Sequence, residues 1–226
     1  MAAQLGQRIQ DIVGFDYASN SINSEDEALE VACAEVIDLA PVSLLLKYAV
    51  APTDLVDGAA TMNVDGKKVL RVIRFDSNGN AKICEKLDID EFKMIALDTN
   101  SIYKSTKYSP VYAEDPETGD AILEVRPALT GGADAANSAK VYYITYPTGA
   151  SPESLSALDG VPNELEHAIA LRASMYILTT MISDAVQDDE DSELQSMLNA
   201  QLEVVNGMYQ SELTKITGDN GEQTAE

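Results

Sequence analysis

The residues able to carry chemistry are few and scattered. The chain has one histidine, His167, beside Glu166 in a stretch that reads as a buried helix. A zinc site needs several His, Cys or carboxylate ligands at short spacings, and no second His or Cys stands near it. A packed or capped structural histidine is therefore expected. No serine, histidine and acid occur with the local motifs of a nucleophilic triad. Thr130-Gly131-Gly132-Ala133 has the glycines of a phosphate loop without the lysine and helix that follow one. Asp76, Asn78 and Asn80 begin like a calcium loop. That loop would need glycine where Ala81 stands and glutamate where Leu87 stands, so a hairpin turn is expected instead. Asp188, Asp189, Glu190 and Asp191 could hold a cation loosely, but they read first as an acidic turn between helices. Cys33 and Cys84 read as buried free thiols. No motif marks a pair of catalytic carboxylates. No enzymatic activity, cofactor or metal is expected.

The tyrosines are the other chemical feature. Tyr103, Tyr108, Tyr112, Tyr142, Tyr143 and Tyr146 concentrate in one part of the chain. Period-2 alternation puts Tyr142, Ile144 and Tyr146 on one strand face and Val141, Tyr143 and Thr145 on the other. Tyrosine supports interface burial, so a tyrosine-bearing face is either ordinary sheet packing or a docking surface.

The elements that must position these residues begin with two long helices, at about 163–186 and 192–216, joined by the acidic turn. Pro162 suits a helix start, and Glu164 and Glu166 suit the positive end of the helix dipole. Residues 168–182 are apolar on most of the helix circumference, which requires cover on more than one side. The flanking acids and internal polar residues argue against a membrane span. The second helix carries Leu194, Met197, Leu198, Leu202, Val205, Met208, Tyr209, Leu213 and Ile216 at the spacing of one buried stripe. Gly218 ends it, and 217–226 reads as a flexible tail.

Upstream, Leu5, Ile9, Ile12 and Val13 predict a short amphipathic helix ending near Gly14. Ser24 and Glu27 form a capping-box pattern for a second helix. Pro41 kinks or ends that helix, and 42–50 reads as a further helical segment packed on the C-terminal pair. From 51 the pattern turns to β-branched residues, tyrosines and turn signals. Strands are predicted at 67–75 and 81–86 around the Asp76–Asn80 turn, at 109–113 and 121–126, and at 140–146. A short helical turn is predicted at 88–92 and another turn or helix at 151–158. The predicted fold class is α+β. A helical domain is formed by 1–50 and 151–216, with a β-rich domain, 51–150, inserted.

Charge bounds the partners. Fifteen Lys and Arg face 38 Asp and Glu, a formal net charge of −23. Residues 1–50 hold two basic and eight acidic residues, 51–147 eleven and fifteen, and 148–226 two and fifteen. A nucleic-acid binder needs cations to displace counterions from phosphates, and these counts oppose that. Met1-Ala2-Ala3-Gln4 has neither the basic nor the apolar region of a secretory signal, so none is expected.

Three stretches resemble head-to-tail adaptor (connector) proteins of tailed bacteriophages. One runs from Val161-Pro162-Asn163-Glu164-Leu165-Glu166-His167-Ala168 through the acidic turn to Met208-Tyr209-Gln210-Ser211-Glu212-Leu213. The second is Leu97-Asp98-Thr99-Asn100-Ser101-Ile102-Tyr103 continuing to Tyr112, ahead of a hairpin with Val125-Arg126-Pro127. The third is the strand 141–146 followed by Pro147. The resemblance implies a virion structural protein at the head–tail interface, assembled in the host bacterial cytoplasm. It implies a ring of twelve copies under the portal, with helices building the ring. Leu213, Ile216, Thr217, Gly218, Asp219 and Asn220 are then candidates for docking on the portal protein. Asp188, Asp189, Glu190 and Asp191 are candidates for facing the DNA channel. Tyr108, Tyr112, Tyr142 and Tyr143 are candidates for meeting the downstream tail or neck protein. DNA would pass without specific binding, and no membrane is implied. A terminator or stopper of the neck is the neighbouring alternative. A soluble peptide- or glycan-binding module using the tyrosine-rich sheet is the alternative outside that class.

Overall fold

The computed structural model describes residues 5–14, 25–49, 51–57, 60–97, 104–106, 108–115, 121–132, 136–147, 162–187 and 192–218. The fold is α+β. Met1–Leu45 and Tyr146–Glu226 form one compact unit, and Leu46–Thr145 forms the other. The observed boundaries thus fall near 46 and 145, where the sequence pattern suggested 51 and 150.

The helical unit begins with α1, Leu5–Val13, which buries Leu5, Ile9 and Val13 at four-residue spacing. Gly14 at φ 72° ends it, a conformation that glycine adopts without strain. Next comes α2, Glu25–Leu39, burying Leu29, Ala32, Cys33, Val36 and Ile37. The Ser24 cap lies outside the described residues. After Pro41 only one turn, α3 (Val42–Leu45), is helical. The longer segment expected over 42–50 is not formed, because the chain enters the other unit at Leu46. A short apolar run fits either fate, and its periodicity cannot decide.

The β unit is a sandwich. Its strands are β1 (Thr53–Leu55), β2 (Thr61–Asn63), β3 (Lys67–Phe75), β4 (Ala81–Ile83) and β5 (Glu85–Lys86), then α4 (Ile89–Leu97), β6 (Val111–Asp115), β7 (Ile122–Arg126) and β8 (Ala139–Thr145). They form two four-stranded sheets, ordered β1-β8-β3-β4 and β2-β7-β6-β5. The predicted strand 81–86 is two strands. The chain leaves one sheet at Ile83 and joins the other at Glu85, pairing parallel with β6. Inward residues of both sheets, including Leu55, Val72, Tyr112, Leu123, Val125 and Val141, share one core. On the opposite face of β6, Val111 and Ala113 pack with Phe92 of α4.

The Asp76 turn explains its own motif. Asp76 Oδ1 accepts from the Asn78 and Asn80 backbone N–H groups at 2.8 and 2.9 Å, and Oδ2 accepts from Asn80 Nδ2 at 3.1 Å. The carboxylate is consumed in capping a hairpin, as the failed calcium pattern suggested. The Gly131 position also has a packing reason. A Cβ there would strike the Ala136 carbonyl oxygen, so the loop admits no side chain.

The helical unit closes with a 3-10 turn, Asn163–Leu165, then α5 (Glu166–Gln187) and α6 (Ser192–Thr217). By length and composition Asn163–Val186 is apolar enough to cross a membrane. Here Ala168, Ile169, Ala170, Leu171, Ala173 and Leu178 are fully buried, and α5 packs against α1, α2 and α6. Burying each large aliphatic side chain stabilises by about 2 kcal/mol. The second half of α5 is less enclosed than the sequence suggested, and Val186 is 53% exposed.

Candidate interaction surfaces

The polar centre of the helical unit was not anticipated from sequence. Arg172 is the one basic residue of α5. Its Nε donates to Glu35 Oε2 on α2 at 2.6 Å, and one of its terminal nitrogens donates to the Tyr176 hydroxyl at 3.2 Å. Tyr176 in turn donates to Glu35 Oε1 at 2.5 Å. The guanidinium carbon lies 4.7 Å from the Tyr176 ring centre and 5.7 Å from that of Tyr209 on α6. Three helices thus meet on one cation. The Arg172 hydrogen bond, with Tyr176 and the guanidinium charge assisting, holds the Glu35 carboxyl below the usual range. A general acid needs the opposite shift. A lone cation within an apolar helix run was the available signal, since such a charge requires a partner.

Two open grooves flank α6. One, of about 440 Å³, is lined by Arg172, Met175, Tyr176, Leu202 and Asn206 among others. The second, of about 430 Å³, is lined by His167, Val204, Gly207, Met208 and Ser211 with Glu212 and Lys215. His167 is exposed on that groove, not packed as expected. The α6 stripe also divides. Leu198, Val205 and Tyr209 are buried, whereas Met197, Val204 and Met208 are 53–56% exposed. Methionine at helical spacing fits a core, but the cover on α6 reaches only part of its circumference.

The residues expected at interfaces separate. Leu213 and Ile216 are half-buried on α6, and Thr217 and Gly218 are exposed at its end. Asp219 and Asn220 lie outside the described residues, as do Asp188, Asp189, Glu190 and Asp191. Tyr108 is 72% exposed. Tyr112 corrects its expectation as a residue that meets the downstream protein, being buried. It pairs with Val125 and turns into the sandwich core, where burial, then Glu114 and Cys84, push its hydroxyl up to about 12. Tyr143 also faces that core, within 3.5 Å of the Thr53 hydroxyl and 5.9 Å of the Lys67 ammonium. Tyr142 is half-buried on the opposite face of β8. The four tyrosines therefore form no common platform.

Cys33 and Cys84 are free and buried, one in each unit, and burial pushes both thiols up to about 12. Among the described residues no group of three His, Cys, Asp or Glu could hold a metal ion. Comparison with protein-family models and with curated proteins finds no match.

Proposed function

We propose that this chain is a non-enzymatic structural component of a tailed-phage virion, a head-to-tail adaptor. It docks on the portal as a ring, links it to the tail and surrounds the DNA channel. The observation that carries the reading is the charge of the helical unit: three basic residues against 23 acidic ones, a net −20. Such a surface repels DNA phosphates and lets the duplex slide. The exposed apolar residues on α6 support association with other protein, and the resemblance described above supplies the assembly.

The test is the mass of the full chain by light scattering, with and without portal protein. The adaptor reading expects co-migration with the portal as a ring-sized species. It also expects that removing 218–226 weakens this co-migration while the fold stays intact. A chain indifferent to portal overturns the adaptor role.

A further inference from the structure

Asparagine followed by glycine is chemically labile, because glycine has no side chain to keep its nitrogen from the asparagine carboxamide carbon. The sequence holds three such pairs, Asn78-Gly79, Asn206-Gly207 and Asn220-Gly221, and the first two lie among the described residues. All four residues of those two pairs are exposed, so water reaches both. Their backbones differ. Gly207 is interior to α6, so its N–H belongs to the helical ladder and donates four residues back. Val205 and Tyr209 on either side of it are buried. An attack by the Gly207 nitrogen would open the helix in its middle. Asn78-Gly79 lies instead at the tip between β3 and β4. The Gly79 N–H donates to the Asp76 carbonyl oxygen at 3.0 Å. Beyond the tip, β4 has three residues, all exposed, at the edge of its sheet and paired with β3 alone. Such an edge opens locally at less cost than the middle of a packed helix.

We infer that Asn78 is a site of spontaneous deamidation in the folded protein, with Asn206 protected by its helix. The co-reactant is water. The Gly79 nitrogen attacks Asn78 Cγ and forms a new C–N bond. The C–NH2 bond breaks, the leaving nitrogen takes up the proton that Gly79 gave up, and ammonia departs. Water then opens the cyclic imide at one of its two carbonyls. One opening gives aspartate. The other gives isoaspartate, whose main chain runs through the former side-chain carbon. Either product sets a new negative charge beside the Asp76 carboxylate. Isoaspartate also lengthens the turn by one atom. Asp76 Oδ1 accepts from the Asn78 and Asn80 N–H groups at 2.8 and 2.9 Å, and the Asp76 N–H donates to the Asn80 carbonyl at 3.0 Å. A longer turn no longer presents Asn78 and Asn80 together to that carboxylate. The conversion therefore loosens the cap that closes β4 onto β3.

The experiment incubates the full-length chain, folded and in urea, at mildly alkaline pH, which favours the deprotonated attacking nitrogen. Peptide masses follow the exchange of –NH2 for –OH at each asparagine. In the folded protein Asn78 should convert at least about tenfold faster than Asn206, a barrier difference of about 1.4 kcal/mol. In urea the two rates should approach each other, because the helix that protects Asn206 is gone. Fragmentation that distinguishes the two backbones should find isoaspartate at position 78. Amide exchange of residues 81–84 should quicken in the converted protein and stay unchanged in an equally aged Asn78→Ser variant. An Asn78 that converts no faster than Asn206 in the folded protein overturns the site. Conversion to isoaspartate that leaves exchange at 81–84 unchanged overturns the loosening of β4.

Discussion

Arg172 carries a charge inside a helix that is otherwise uncharged from Ala168 to Leu178, so its environment depends on Glu35. The folded state holds the Glu35 carboxyl below its unfolded value. The stabilisation is therefore present above the ordinary carboxylate range and is lost as pH falls through the folded value. Glu35→Gln should destabilise the protein at neutral pH by about 1 kcal/mol or less, since the pair is partly exposed. The two proteins should converge only as pH falls below the ordinary carboxylate range and through the lowered folded value, which urea midpoints taken at falling pH would show. Ile177, 6% exposed, is a harsher position. Ile177→Asp should cost several kcal/mol by leaving a charge buried without a partner. Met175→Asp, on the open groove beside Arg172, should cost about 1 kcal/mol in the same denaturation measurement.

Among the elements, β3 was legible because its β-branched run is bounded by Gly66 and the Asp76 turn. The helices α1, α5 and α6 were legible from apolar spacing and from their end signals. The switch of sheets at Cys84 was not, because a two-residue strand has no periodicity to read. Nor could the sequence place Tyr112 inward, since that follows from its register with Val125. The interface residues suffered most. Sequence shows that a methionine is apolar and correctly spaced, but not whether a neighbour covers it, and so Met197 and Met208 were misplaced. Gly207 makes a test at this scale. Gly207→Ala should stabilise the separated chain by about 0.5–1 kcal/mol, because the new methyl meets nothing and the helix gains. If α6 receives another copy closely, the same change should weaken self-association. Thermal melts of dilute protein and light scattering of concentrated protein measure the two effects separately.

At the scale of the molecule, charge is partitioned along with fold. The helical unit holds three basic and 23 acidic residues, the β unit twelve and fifteen. This partition is visible in the sequence once the boundaries are known, and the grouping of both termini into one acidic unit makes it sharp. It leaves a strongly acidic helical unit and a near-neutral sandwich, so salt should act mainly on contacts made by the first. Each unit buries one cysteine. At mildly alkaline pH, a thiol raised to about 12 is reactive on the order of a thousandfold less than an exposed one, because the thiolate is the attacking species. Reaction with a colorimetric disulfide reagent then waits for local opening, and the two thiols become separate clocks. Cys33 times the breathing of the helices and Cys84 that of the sandwich. Mass mapping of the labelled peptides should give two labelling half-lives if the units open independently and one if they open together.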